Sequence, residues 1–227
     1  MSVIFAETND QFCVDTAASR AGTRDASTCN AVASTLTNNA FSIYTAFTSG
    51  RGGALYYLRR AHFSFDLSGE SGTATAATFS WYCDLIQSTA GSDLIATHMG
   101  TIDNNTGDWD DHANSEPHSG ATTITTTLGY HDFTLNAAAL TRINAQIGSG
   151  NYNLAIIDYD NDYLDVAPSN NTFTQVHGYF ANYTGTSRDP KLTLTFGYGN
   201  TVMGVAGTSI STVKGVANAN ISEVMGV

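Results

Sequence analysis

Apolar and polar residues alternate along most of the first 200 positions, in short runs bounded by Gly, Asn, Asp and Ser. A period of two puts every second side chain on one face, so these runs predict β-strands. Strands are expected at 2–8, 12–16, 41–48, 55–66, 75–84, 94–99, 122–127, 130–135, 153–160, 175–182 and 191–196. In Phe63-Ser64-Phe65-Asp66-Leu67 the apolar three share a face. In Leu192-Thr193-Leu194-Thr195-Phe196 the apolar residues point one way and the threonines the other, as in a sheet with one wet face. One segment changes period. Leu140, Ile143 and Ile147 are spaced by three and four, which predicts a helix over 136–147, capped by Asn136 and stopped by Gly148. The pattern describes an all-β domain over residues 1–199, a β-sandwich closed at one end by one short helix.

The last residues obey a different rule. Val202-Met203-Gly204-Val205-Ala206 returns as Val213-Lys214-Gly215-Val216-Ala217 and starts again at Val224-Met225-Gly226-Val227. The glycines step by eleven residues, and Ile210 and Ile221 fall in the same phase. So short a unit buries its apolar face only by stacking on a neighbour, and two and a third copies are too few to stand alone. The tail, residues 200–227, is therefore expected to dock on another molecule. Val202, Val205, Ile210, Val213, Val216, Ile221 and Val224 would be the buried contacts, and Gly204, Gly215 and Gly226 would set the backbone geometry. Each unit suits a single capped helical turn followed by an extension; a pair of short strands with glycine at bulges is the alternative.

Composition narrows the function classes. Charged residues make up 13% of the 227 and the net charge is −11, with nine scattered Lys and Arg. Phosphate neutralisation needs clustered cations, so nucleic acid is not an expected partner. No run approaches the roughly 20 apolar residues of a membrane span. The opening Met1–Glu7 has neither basic residues nor a long apolar core, so no signal peptide is expected and the chain would be made in a host cytoplasm. Cys13, Cys29 and Cys83 have no metal-binding spacing; Cys13 and Cys29 could pair, and Cys83 reads as a core thiol.

The order of segments carries a resemblance. Phe63-x-Phe65-Asp66-Leu67-Ser68 leads into Gly72-Thr73-Ala74-Thr75-Ala76-Ala77-Thr78-Phe79-Ser80-Trp81-Tyr82. Phe133-Thr134-Leu135 precedes the helix, Tyr152–Ile157 follows it, and Arg188-Asp189-Pro190-Lys191-Leu192-Thr193-Leu194-Thr195 closes the domain. Residues 55–198 thus resemble DNRLRE-type domains, jelly-roll β-sandwiches related to carbohydrate-binding modules. The motif that names that family is missing, so no binding site carries over from it. The tail resembles Val-x-Gly-Val-Ala repeats of tailed-bacteriophage structural proteins. Together the two resemblances imply a non-enzymatic virion protein, as capsid decoration or tail-fibre subunit, whose partners are other virion proteins and itself as a homo-oligomer. A host glycan-binding adhesion module and a secreted bacterial surface protein are the alternatives.

Two polar segments suggest binding chemistry. Asp108-Trp109-Asp110-Asp111-His112 offers an aromatic face with acidic and imidazole neighbours, a platform for host surface polysaccharide through Trp109, Asp110 and His112. Asp158-Tyr159-Asp160-Asn161-Asp162 places oxygens at alternate positions, and Asp158, Asp160 and Asp162 are candidate calcium ligands. The Gly and Glu that an EF-hand needs are replaced by Tyr163 and Ser169. No nucleophile elbow, P-loop or His-Glu-x-x-His occurs, and no cofactor is implied.

Overall fold

The computed structural model describes residues 1–33, 40–88, 92–112, 116–124, 128–181, 185, 187–197, 212–213 and 216–217. Strands dominate and pair antiparallel. They are β1 (Ser2–Phe5), β2 (Gln11–Ala17), β3 (Ala31–Ala33), β4 (Ala40–Gly50), β5 (Gly53–Asp66), β6 (Ala74–Ser88), β7 (Asp93–His98), β8 (Thr122–Thr123), β9 (Gly129–Thr134), β10 (Asn151–Asp158), β11 (Thr172–Tyr179) and β12 (Lys191–Phe196). A short helix α1 (Arg20–Arg24) lies between β2 and β3, and α2 (Ala137–Gln146) precedes β10.

One curled sheet runs β1-β12-β6-β11-β4-β5-β10-β7-β8, with β2 added to β5, β3 to β2 and β9 to β6. Two long strands do the folding-over. On one edge β5 pairs with β4 over residues 53–59 and with β10 over 61–66. Likewise β6 pairs with β12 over 74–80 and with β11 over 83–88. A strand that trades neighbours midway turns the sheet back on itself, which gives the all-β, sandwich-like form.

The inward faces meet in one core of Phe41, Ile43, Phe63, Phe65, Phe79, Trp81, Phe133, Leu154, Phe180, Leu192 and Leu194 among others. Phe63, Phe65 and Leu67 are fully buried, as their alternation predicts. Phe41 packs edge-on to Phe63 at 5.1 Å and tilted to Trp81 at 5.5 Å. Gly178 lets these rings close. A Cβ there would lie 2.6 Å from Trp81, 2.7 Å from Phe41 and 2.8 Å from the Tyr82 carbonyl. The β11–β6 register shifts between His177 and Gly178, a bulge that lets the glycine backbone approach.

The predicted helix is present as α2. Asn136 accepts from the Ala139 amide, satisfying one of the free N–H groups of the first turn, and Ala139 and Ile143 are buried beneath it. Of the tail, only the two-residue strands β13 (Thr212–Val213) and β14 (Val216–Ala217) are described, paired Val213 to Val216. The helical turn expected there gives way to the strand alternative, in keeping with β-branched Thr and Val at these positions. Val202, Gly204, Val205, Ile210, Gly215, Ile221, Val224 and Gly226 lie outside the described residues.

Candidate functional site

The two segments that look functional in the sequence are joined by a buried arginine. Arg60 is 1% exposed. It donates from Nε and Nη2 to the two carboxylate oxygens of Asp162 at 2.8 and 2.7 Å. Nη1 reaches the Trp109 carbonyl at 2.8 Å and Nη2 the Arg24 carbonyl at 3.0 Å. The guanidinium stacks over the Trp109 ring, 4.0 Å from its centre. The indole Nε1 donates to the Thr23 carbonyl. Trp109 is fully buried, so its ring faces Arg60 and not a sugar, which corrects the platform expected there. Asp108 is buried as well and accepts from the Asp103 amide and from Gln11. Asp110 is exposed on the 3₁₀ turn Thr106–His112, and His112 ends that turn.

The acidic loop is likewise held by the protein itself. Asp162 is committed to Arg60, and its carbonyl accepts from Arg24 at 2.6 Å. Asp158 caps the π turn Tyr159–Tyr163 through the Asn161 amide, and burial raises its carboxyl to about 6. Asp160 is half-buried, and Arg20 bridges Asp165 at 2.6 Å. Three arginines therefore serve this loop. Among the described residues no three His, Cys, Asp or Glu side chains converge as metal ligands. Cys13 and Cys29 are buried thiols in the cluster beneath Trp109, and the hydrogen bond between them raises Cys13 and lowers Cys29.

A different surface gathers half-buried aromatic and polar side chains. On the sheet formed by β1, β12, β6, β9, β11, β4 and β5, the residues opposite the core face outward. Register sets Tyr44 beside Arg59, Ala46 beside Tyr57 and Phe173, and Tyr82 beside Tyr130. The rings touch in two groups. Tyr44 lies 6.2 Å from Tyr57 and 6.4 Å from Phe173. Tyr82 lies 5.5 Å from Tyr130 and 5.9 Å from Tyr179. Each group carries cations on its rings: Arg59 over Tyr44, Arg188 over Tyr82 and Tyr179, and Lys191 over Tyr130. Between them Gln175 and His177 share a 2.7 Å hydrogen bond. Val3 (48%), Phe5 (41%), Leu55 (36%) and Tyr130 (37%) open to solvent on this same face. Where an outward sheet face normally turns polar, this one carries half-buried aromatic rings with cations over them.

Known protein families and curated proteins give no match to this chain.

At one end of the molecule a second, polar feature opens between the end of β7, the start of β10 and α2. It is a cleft of about 240 Å³ bordered by His98, Arg142, Gln146, Asn151, Tyr152 and Asn153. Tyr152 floors it. Its hydroxyl meets His118 Nδ1 at 2.6 Å, and the two rings stack at 5.6 Å. Burial pushes His118 down to about 4, so its imidazole is neutral at pH 7, and burial lowers His98 as well. Glu116 Oε2 sits 3.8 Å from His118 Nε2 and 3.4 Å from Arg142 Nε.

Sequence reasoning missed both features. Tyr57 and Tyr179 sit in strands, where an aromatic is expected to fill the core. Tyr179 is buried, as a strand aromatic is expected to be, but the parity that places Leu58 inside puts Tyr57 on the opposite face, half-buried, and that was the available signal. The cleft joins residues from 98 to 153, which no local pattern connects.

Proposed function

We infer that this protein is a non-enzymatic polysaccharide-binding β-sandwich of jelly-roll type, with the aromatic outer face as its glycan platform. The observation that carries this reading is the outward row of Tyr44, Tyr57, Phe173, Tyr82 and Tyr130 beside the exposed Val3, Phe5 and Leu55. A sugar has an apolar ring face and a rim of hydroxyls. Aromatic rings suit the first, and Gln175, His177, Arg59 and Lys191 supply hydrogen-bonding partners for the second. The repeat tail supports placing the module in a bacteriophage virion, as capsid decoration or fibre subunit, because such a repeat needs a docking partner. The virion role and the resemblance to carbohydrate-binding modules agree with each other: a displayed sandwich holds host surface polysaccharide while the tail holds the particle.

The test is retention on polysaccharide. Affinity electrophoresis through gels loaded with bacterial capsular and cell-wall polysaccharides should slow the native chain. Tyr44→Ala with Tyr57→Ala should restore its mobility while the circular dichroism stays native. Mobility unchanged in every gel, or equal retardation of the double variant, overturns the reading.

A further inference from the structure

Among the described residues β1 pairs only with β12, so one side of β1 is an open sheet edge. The Ala6 amide bonds the Pro190 carbonyl. Antiparallel partners exchange hydrogen bonds at every second residue, so Ser2 and Ile4 also face β12. Val3 and Phe5 therefore turn their N–H and C=O groups off the edge. The open stretch ends there, because the next amide on that side, Glu7, goes to the Ser64 carbonyl. Val3 and Phe5 send their side chains to the outer face, 48% and 41% exposed, while Ile4 packs on the core.

Edges are ordinarily blunted by charge, proline or brevity. Strands β3 and β8 have three and two residues, and β9 carries the exposed Asp132. In β1 there is neither charge nor proline. Of the acids beside it, Glu7 is bonded by Ser64 and Asn151, and Glu70 by Ser2. This edge is also complementary to itself. An antiparallel copy that uses the whole open stretch is centred on Ile4. Each Val3 then lies opposite the partner's Phe5, and the two such pairs exchange their outward backbone hydrogen bonds. Their apolar side chains meet on the outer face, and Ile4 meets Ile4 on the inner one. A slip of one residue would set Val3 against Ile4, on opposite faces. The two-fold pairing uses up both edges, so it stops at two copies.

We propose that β1 pairs with β1 of a second copy, antiparallel about Ile4, joining two sheets into one. The inference goes beyond the platform reading and needs no glycan, although it extends the outer face across both copies. Four strand residues span only about 13 Å. So short a contact belongs with transient interfaces, and a Kd on the order of 100 µM is expected.

Sedimentation equilibrium and amide hydrogen exchange of the full chain, at about 5 and about 500 µM, bracket that constant and test the pairing. The mass should rise from 24.0 kDa toward twice that value. The Val3 and Phe5 amides should exchange about threefold more slowly at the higher concentration, following the fraction paired. The Ile4 and Ala6 amides, bonded to the neighbouring chain segment in either state, should stay protected at both. Val3→Pro removes one outward N–H and none of the bonds to β12, a change an edge strand tolerates. It should keep the native melting temperature and remain a monomer at 500 µM. A mass of 24.0 kDa at both concentrations, slowing that spares Val3 and Phe5, or a folded Val3→Pro chain that still dimerises would each overturn the proposal. A monomer that polysaccharide gels still retard removes this inference alone; a dimer that they fail to retard removes the platform reading alone.

Discussion

Replacing Arg60 by Met should cost about 3–5 kcal/mol, the range seen when one partner of a buried ion pair is removed. The substitution keeps much of the side chain's length and deletes its charge. Two charge-assisted bonds to Asp162, one bond each to the Trp109 and Arg24 carbonyls, and the contact with the indole ring are lost together. Asp162, whose side chain is only 3% exposed, is left with Arg24 Nε 4.0 Å away as its nearest cation. A carboxylate stranded in that way dominates the cost. Removing both charges should be milder, because neither remains unpaired. Arg60→Met with Asp162→Leu is therefore expected to lose less than the sum of the two single changes by at least about 2 kcal/mol. Urea unfolding followed by tryptophan fluorescence measures all four proteins. With a slope of about 1–3 kcal/mol per molar, the single changes should move the midpoint by more than about 1 M. A loss under about 1 kcal/mol for Arg60→Met, or single costs that simply add, would refute the reasoning.

Three further outcomes follow from the packing. Gly178→Ala should destabilise by about 1–3 kcal/mol, because the Tyr82 carbonyl cannot move aside as a side chain can; the near-ultraviolet signal of Trp81 reports the shift, and an unchanged melting temperature contradicts it. Asn136→Ala should cost about 1 kcal/mol by uncapping α2, with added loss from its bond to the Pro117 carbonyl; thermal melts check this. The folded value of His118, about 4, lies below the unfolded value of about 6.5, so the unfolded chain binds more protons between them. Its contribution is present above pH 6.5 and is lost as pH falls toward 4. His118→Gln should therefore lose about 2 kcal/mol less than the native chain on going from pH 7 to pH 5. Equal losses in urea titrations at the two pH values would dismiss His118 as the proton acceptor.

Much of the fold is legible in the alternation. The two-residue period located the strands that carry Phe63, Phe65, Leu192 and Leu194, and the three-four spacing located α2, because burial on one face leaves that trace directly. The site was less legible for a related reason. Arg59 and Arg60 read as a basic doublet, yet a strand sends neighbours to opposite faces. Arg59 lies over Tyr44 on the outer surface while Arg60 turns in to Asp162. Trp109 and Asp162 attract attention as a polar aromatic and a clustered acid; the partner that claims both sits far away in sequence, and no spacing rule finds it. The partner exchanges of β5 and β6 are equally invisible, since the pattern within each strand runs on unchanged.

The knot at Arg60 also bears on how the chain reaches its native state. It ties residues 36, 49 and 102 positions apart, and Arg24 to Asp162 adds a span of 138. Such distant closures are entropically expensive until most of the sheet has formed. The knot then sets on the native side of the folding barrier. Weakening it speeds escape from the finished molecule and leaves the rate of reaching it nearly untouched. Arg60 acts in this way as a clasp, governing lifetime more than assembly.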